Sequence, residues 1–200
     1  MPDWDENSPQ LVANLTAVLE SIRDSAQGRE QFGAESARRW HREMMAGLEI
    51  PREEWRGAFR GEKDLEGLEV RVGMRPGVRS TEVAAALGKF DDVLHRLLSF
   101  LDSGIPSGSE LSESQIEAVL EVCARVHAEW VRIHPFANGN GRTARLWANA
   151  IAMRYGLPPF VRLRPRPQDG GYALAAEAAM TGNPDPTIDC FRGLQGSFFE

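Results

Sequence analysis

The chain has few cysteines and no long apolar segment. Cys123 and Cys190 are the only two cysteines in 200 residues, and two distant thiols do not build a disulfide scaffold, which favours a reduced compartment. No apolar run approaches the roughly 20 residues that a membrane-spanning helix needs. The first ten residues are polar and acidic, unlike a signal peptide. These absences predict a cytoplasmic protein with no membrane association.

Lysine is also scarce, and arginine supplies nearly all of the positive charge. Lys63 and Lys89 are the only lysines, and 23 basic residues against 29 acidic ones give a net charge of −6. A chain with this balance is not expected to bind nucleic acid directly. Residues 125–166 differ, because they hold eight arginines and a single acid, Glu129. This concentration indicates a local anion-binding site, with chance in an arginine-rich sequence as the alternative.

Apolar residues recur every three to four positions along most of the chain, which predicts a mostly α-helical single domain. Alternation of apolar and charged residues over Leu68–Val72 predicts one short strand or hairpin. Helices are predicted from Pro9, over Glu30–Gly47 and Thr81–Leu101, from a capping Ser112, and over Arg142–Tyr155, Asp169–Met180 and Thr187–Leu194.

The twelve residues from His134 to Arg145 carry most of the chemistry that the sequence offers. Gly139 and Gly141 allow positive φ and a close approach of backbone N–H groups to an anion, at the start of a helix. Arg142 and Arg145 are three residues apart and therefore share a helix face. His134 is a residue type suited to proton abstraction near neutral pH. The segment predicts a polyphosphate site beside a general base; the alternative is a plain helix–helix loop.

This segment resembles the motif of the Fic (Fic/Doc) family, His-Pro-Phe-x-(Asp/Glu)-Gly-Asn-Gly-Arg-x-x-Arg, at eleven of twelve positions. Upstream, the stretch from Trp40 and His41 through Trp55–Arg60 looks like the region before the family's flap hairpin, and Val70–Gly73 looks like the flap itself. Downstream, Tyr172–Phe191 is similar to the closing helices. The resemblance implies a compact Fic-type helical domain over residues 31–200 with a small β-hairpin flap, preceded by a helical segment over residues 1–30.

Members of this family most often transfer AMP from ATP to a protein hydroxyl, so the resemblance implies a protein adenylyltransferase. By position, His134 is the general base that deprotonates a target Ser, Thr or Tyr, and Phe136 is the packing anchor of the loop. The resemblance also assigns the α- and β-phosphates to Gly139, Asn140 and Gly141.

The resemblance assigns the outer phosphates and the target to further residues. Arg142 pairs with the β- and γ-phosphates, and Arg145 holds the γ-phosphate. The flap residues Val70, Arg71 and Val72 dock the target segment by strand addition, through main-chain hydrogen bonds. The partners implied are ATP and a protein with an accessible hydroxyl.

One position departs from the family motif. Asn138 stands where the family has an acidic residue that holds Mg²⁺ against the phosphates. An amide oxygen ligates Mg²⁺ without charge, so a weak contact through phosphate-bound Mg²⁺, or a preference for Mn²⁺, is expected. Two hypotheses follow: an active adenylyltransferase, favoured by His134 with its two arginines, or a nucleotide-binding regulatory protein that transfers weakly or not at all.

Many relatives are silenced by a helix that carries (Ser/Thr)-x-x-x-Glu-(Gly/Asn). Thr16–Ser21 nearly fits this pattern, and Glu20 would then pair with Arg145. The alternative is that Glu20 belongs to the polar face of an amphipathic helix and that inhibition comes from a separate small antitoxin, since short members often form toxin–antitoxin pairs. Cys123 and His127 are four residues apart, but a third ligand at suitable spacing is absent, so a buried structural role is predicted.

Overall fold

The computed structural model describes residues 8–167 and 170–196, which form seven α-helices and one antiparallel hairpin. The helices are α1 (Pro9–Gln27), α2 (Ala34–Met44), α3 (Val83–Gly104), α4 (Glu113–Ile133), α5 (Asn140–Arg154), α6 (Gly170–Ala179) and α7 (Asp185–Gly196). The hairpin consists of β1 (Arg71–Val72) and β2 (Arg75–Pro76). The prediction of a mostly α fold with a small β-hairpin is confirmed.

Helices α4 and α5 form the centre of the molecule, and α5 is buried along almost its whole length. Its second half is rich in alanine and other apolar residues on every side, which is the pattern of a fully enclosed helix. The one amide in that half, Asn149, is satisfied by the backbone N–H and C=O of Val161. Three tryptophans, Trp40, Trp130 and Trp147, are all buried around this helix.

Helix α1 belongs to the same hydrophobic core as the rest of the molecule. Its apolar face, predicted from the spacing of Leu11, Leu15, Val18 and Ile22, is buried against α5 and α2. The N-terminal segment therefore has no separate core within residues 8–30. In the part of the chain that the structure describes, no helix has the length and apolar character needed to cross a bilayer.

The ends of several helices differ from the predicted ones for local reasons. Helix α2 begins at Ala34, not near Glu30, because the Ala34 N–H donates to Asp91 Oδ1 (2.7 Å) from α3. The capping role predicted for Ser112 is confirmed, since its Oγ accepts from Gln115 N (3.3 Å) at the start of α4. The residue at which α6 was predicted to begin lies outside the described residues.

The hairpin is shorter than the alternating pattern predicts. Only Arg71 and Val72 of the expected strand pair with β2, and one further hydrogen bond joins Gly77 N to Val70 O (3.0 Å). The two residues before Val70 are bound elsewhere, since the Leu68 carbonyl accepts from Arg60 and the Glu69 carboxylate accepts from Ser80. These contacts fix the base of the hairpin and end the strand.

Candidate active site

The loop between α4 and α5 is bounded by two residues in the left-handed conformation. His134 (φ 54°, ψ 55°) ends α4, and Gly139 (φ 76°, ψ 3°) precedes α5. The conformation suits glycine, and an added Cβ at Gly139 would lie 2.6 Å from Met45 Cε, so a side chain there would also require the Met45 methyl group to move. His134 adopts the same conformation with a side chain, so surrounding contacts must hold it there.

The His134 imidazole has a defined protonation state. Its Nδ1 lies 3.0 Å from Val131 O, and because a carbonyl only accepts, Nδ1 carries the proton and Nε2 keeps its lone pair. Burial, together with the positive charge of Arg60 and against the opposing effect of the Val131 bond, lowers the pKa of His134 to about 4. The ring is therefore neutral at pH 7, with Nε2 available as a proton acceptor.

The side chain of Asn140 holds the loop together. Its Oδ1 accepts from Phe136 N and its Nδ2 donates to Phe136 O, each at 2.8 Å. Phe136 is fully buried, as expected of a packing anchor. Because the Asn140 amide is engaged within the loop, the groups at this position that could bind an anion are the backbone N–H groups that open α5, where the helix dipole is positive.

His41 is a loop-supporting residue that the sequence analysis missed. It is fully buried, it accepts from Gly57 N at Nδ1 (2.9 Å), and its Nε2 lies 3.1 Å from Asn138 O. Its ring stacks on Phe136 with centroids 4.0 Å apart. Burial lowers the pKa of His41 to about 3, so the ring is neutral. The spacing of Ala37, Trp40 and Met44 in α2 predicts burial of this face but gives no sign of these two hydrogen bonds.

Arg142 and Arg145 both project from the first turns of α5 and are nearly buried. Arg145 Nε and Nη2 donate to Leu163 O (3.2 and 2.9 Å), and its Nη1 donates to Tyr172 Oη (3.4 Å). Arg142 Nη2 donates to Asn138 Oδ1 (3.1 Å). The structure thus places both guanidiniums beside the start of α5, where the sequence predicts them.

A cavity of about 610 Å³ brings the predicted residues together. Its wall includes His134, the start of α5 and the hairpin residues Val70–Gly73, and it also includes Arg142 and Arg145. Three further arginines line it, namely Arg71, Arg164 and Arg166. Among the described residues, the single carboxylate on this wall is that of Glu69, which accepts from Ser80 N and Oγ (3.0 Å each). The cavity is therefore strongly cationic and suited to an anion with several charges.

The cavity offers little to a metal ion. Asn138 Oδ1 accepts from Gly139 N (2.6 Å) and from Arg142 Nη2 (3.1 Å), so this neutral oxygen already faces two donors. Among the described residues, no cluster of three or more histidine, cysteine or carboxylate side chains could hold a metal. Mg²⁺ prefers carboxylate and phosphate oxygens. The residues present do not fit a metal held by the protein alone.

Glu20 does not make the contact expected of it. Its side chain is exposed, and it forms no ion pair within the part of the chain that the structure describes. Leu11 of the same helix lines the cavity, and nine residues further along an α-helix correspond to about 13 Å, which carries Glu20 away from it. Arg145 is bound by Leu163 and Tyr172 instead. The expected Glu20–Arg145 pair is not part of this structure.

Cys123 and His127 lie inside the core, next to the site but not in it. His127 Nε2 lies 2.9 Å from Tyr172 Oη, which in turn contacts Arg145. Burial lowers the pKa of His127 to about 3 and raises that of the Cys123 thiol. The predicted structural role agrees with these contacts, since His127 helps to hold Tyr172 against Arg145.

Curated proteins that match this chain include protein adenylyltransferases of the Fic type. A protein adenylyltransferase Fic from Nematostella vectensis is 40% identical over 76 residues, which cover 31% of this chain and 18% of that protein. Protein adenylyltransferase fic-1 from Caenorhabditis elegans is 52% identical over 42 residues, 21% of this chain and 8% of that protein. The chain therefore matches only a small part of these relatives.

Solved structures share the fold at low sequence identity. A Fic-domain signalling protein from Bacteroides thetaiotaomicron aligns with a TM-score of 0.67 and 20% identity, over 94% of this chain and 69% of that one. The effector protein BepC from Bartonella tribocorum, with bound AMPPNP, aligns with a TM-score of 0.63 and 19% identity, over 92% and 85%. The sequence model of the Fic/DOC family matches residues 31–152, which is more than half of the sequence, and the chain therefore belongs to the Fic/DOC family.

Proposed function

We propose that this chain is a protein adenylyltransferase that transfers AMP from ATP to a hydroxyl side chain of a target protein. The observation that carries the proposal is the common cavity of His134 and the start of α5, lined also by Arg142 and Arg145. A nucleoside triphosphate needs cationic donors, and a protein hydroxyl needs a base. The names of the curated relatives support this activity, although each match covers 8–18% of the relative.

The proposed reaction is an in-line displacement at the α-phosphorus. His134 Nε2 takes the proton of the target hydroxyl while the hydroxyl oxygen forms a bond to the α-phosphorus. The bond to the α,β-bridging oxygen breaks, and pyrophosphate leaves with the electron pair. Positioning and charge neutralisation supply most of the rate in such a reaction. The product is AMP joined to the target through a phosphodiester.

Each phosphate of ATP is assigned to protein groups according to their position at the start of α5. The backbone N–H groups from Gly139 to Gly141 would hold the α- and β-phosphates at the positive end of the helix. Arg142 would pair with the β- and γ-phosphates. Arg145 would meet the γ-phosphate, exchanging for it the long 3.4 Å bond to Tyr172 Oη. A triphosphate then lies along one helix face, with its α-phosphorus turned toward His134.

The hairpin is the proposed docking surface for the target. Val70, Arg71 and Val72 lie on the cavity wall, so a target segment paired with β1 would run past His134. Strand addition uses main-chain groups for affinity and leaves sequence preference to side-chain contacts. The target would therefore present a Ser, Thr or Tyr in an extended segment.

The ATP donor is proposed to bring Mg²⁺, or Mn²⁺, on its own phosphates. Asn138 is the one residue at the family's metal position, and its neutral oxygen gives at most a weak contact. The negative charge of the phosphates is balanced mainly by guanidiniums and helix N–H groups.

A second candidate function is favoured by Asn138 alone. With a complete phosphate cradle and no metal-binding carboxylate, the chain would bind nucleotide and act as a regulatory protein with weak or absent transfer. His134, neutral and turned into the cavity, favours the enzyme. The two functions differ in whether the bound nucleotide is ever cleaved.

Control of the activity is proposed to come from outside α1. Because the Glu20 carboxylate is exposed, it does not occupy the place of the γ-phosphate beside Arg145. A separate small antitoxin that inserts an acidic side chain there would fit the cationic cavity. The toxin–antitoxin role thus remains a proposal, which depends on finding such a partner.

The deciding experiment uses ATP labelled at the α- or the γ-phosphate, cell lysate, and Mg²⁺ or Mn²⁺. Transfer of the α-label to a protein, absent with His134→Ala, is the expected result. His134→Ala must still bind AMPPNP in a parallel titration, so that loss of transfer is not loss of nucleotide. Transfer of the γ-label would indicate a kinase instead. Tight nucleotide binding without transfer of either label would contradict the proposed enzyme and support the regulatory function.

A further inference from the structure

A fully buried guanidinium lies between the base of the hairpin and the end of α4. The side chain of Arg60 is 0% exposed, and each of its five N–H donors has an acceptor within 3.4 Å. The acceptors are His134 O (2.8 Å from Nε), Val78 O and Ile133 O (2.6 and 3.0 Å from Nη2), and Leu68 O and Glu69 Oε2 (3.2 and 3.4 Å from Nη1).

These acceptors belong to two parts of the site that are far apart in sequence. Leu68 and Val78 flank the hairpin on its two sides, and Ile133 and His134 end α4. The backbone N–H of Arg60 also donates to Pro135 O (2.7 Å), the first residue of the motif loop. One side chain therefore fixes both legs of the hairpin to the residue that carries the base.

Arginine is the one side chain that can make this set of contacts. Its planar guanidinium presents five donors in a rigid fork, whereas lysine has three donors on a single atom. The last carbonyls of a helix lack partners within the helix and favour a positive charge. Within residues 8–167 and 170–196, the only carboxylate in contact with Arg60 is that of Glu69, which is 54% exposed. Burial of a charge costs free energy, so the distinctive contribution of this contact is geometry.

We infer that Arg60 is a positioning residue that holds the hairpin and His134 in one rigid frame. A target segment docked along β1 would then present its hydroxyl at a fixed distance from Nε2. Arg60 itself touches neither the target nor the nucleotide. The inference rests on the proposed function for its consequence in catalysis, but the coupling of the two segments is a property of the folded chain alone.

The test compares Arg60→Lys with a matched control, Arg154→Lys. Arg154 is also a nearly buried arginine, and it donates to Glu30 O (2.8 Å) and Asp102 Oδ2 (2.7 Å). It is the last residue of α5, at the end away from the motif loop. Amide hydrogen exchange is measured by mass spectrometry over residues 68–78 and 131–136. Transfer to the target and the affinity for AMPPNP are measured on the same samples.

Arg60→Lys is expected to speed exchange at least tenfold in both segments together, because they lose a common support. Transfer, as kcat/KM for the target, should fall by about 10- to 100-fold, while the affinity for AMPPNP stays within threefold. Arg154→Lys should leave the exchange rates of both segments, the rate of transfer and the affinity for AMPPNP within threefold of wild type. Faster exchange in one segment only, or a loss of AMPPNP affinity equal to the loss of transfer, would overturn the inference.

A second variant covers the case in which Arg60→Lys does not fold. Glu69→Gln changes an exposed side chain, and it weakens the contacts of the hairpin base with Arg60 and Ser80. It is expected to speed exchange over residues 68–78 and to lower transfer by three- to tenfold, with AMPPNP affinity retained. Unchanged exchange and transfer would contradict the frame. If wild-type protein transfers nothing, the exchange data still decide the inference, and only the proposed function fails.

Discussion

Gly77, at the base of the hairpin, packs directly on His134. A Cβ built at Gly77 would lie 3.0 Å from His134 Cβ, 3.3 Å from Arg60 Nη2 and 3.4 Å from Ile133 O. These neighbours are a Cβ atom, a guanidinium whose donors are all hydrogen-bonded and a helix carbonyl, and none of them moves easily. The hairpin can therefore approach His134 this closely because position 77 has no side chain.

Gly77→Ala is expected to move the hairpin away from His134 by a few tenths of an ångström. Transfer to the target should fall about tenfold, since small misplacements of reacting groups reduce rates strongly. The affinity for AMPPNP should not change, because Gly77 does not line the cavity with the phosphate cradle. Rates of transfer and nucleotide titrations check both expectations.

The control for this substitution is Gly88→Ala in α3, where an added Cβ meets no atom within 4 Å. That change should leave transfer unaffected and stabilise the helix by about 0.5–1 kcal/mol. Equal transfer by Gly77→Ala and wild type would mean that the contact with His134 does not set the position of the hairpin.

The chemistry of the site could be predicted from sequence because it is local. Gly139, Arg142 and Arg145 follow from one loop and the first turns of one helix, and their spacing alone brings them together. The apolar periodicity also predicted helices whose apolar faces are buried in the core, such as that of α1. In both cases the pattern depends on residues within a few positions of each other along the chain.

The supports of the site could not be predicted, because they join segments that are distant in the chain. Arg60 reaches carbonyls 73 and 74 residues away, and His41 contacts a carbonyl 97 residues away. Backbone carbonyls leave no trace in the sequence, so a side chain that binds them has no recognisable partner. The predicted Glu20–Arg145 ion pair does not form for the same reason. The position of α1 along α5 is set by packing between segments that are distant in the chain.

Three histidines, of which His41 and His127 are fully buried and His134 is half-buried, should make the protein sensitive to acid. The pKa of His41 and of His127 is lowered to about 3, and that of His134 to about 4, in each case mainly by burial. In the unfolded chain all three would titrate near 6.5. Their contribution to stability is therefore present in full above pH 6.5 and is lost as the pH falls toward 4, because the unfolded state binds protons first.

At pH 5.5 the unfolded chain binds almost three more protons at these sites, so the free energy of unfolding should change by about 3–4 kcal/mol per pH unit. Urea unfolding between pH 7 and 5 measures this slope above the range in which carboxylates titrate. His127→Gln should reduce the slope by about one third. A free energy of unfolding that is flat between pH 7 and 5 would show that these rings are not buried as neutral groups.

Asn138→Asp is expected to raise transfer at low metal concentration. The new carboxylate would stand 3.1 Å from Arg142 Nη2 and would supply the charged oxygen that Mg²⁺ prefers. We expect about a tenfold gain in kcat/KM below 1 mM Mg²⁺, shrinking as Mg²⁺ is raised. Asn138→Ser, with a small neutral oxygen, is the control and should give no gain. Equal rates for the aspartate variant and wild type at every Mg²⁺ concentration would mean that metal binding does not limit the reaction.

Glu20→Gly is expected to leave automodification unchanged. The Glu20 carboxylate is exposed on α1, and Arg145 is held by Leu163 O and Tyr172 Oη, so removal of the carboxylate frees no part of the cavity. Because glycine also weakens a helix by about 1 kcal/mol, Glu20→Ala is the cleaner comparison and should match it in rate. Both are measured with ATP labelled at the α-phosphate. A rise of tenfold or more in both variants would require α1 to reach the cavity in another conformation, and would restore Glu20 as an internal inhibitor.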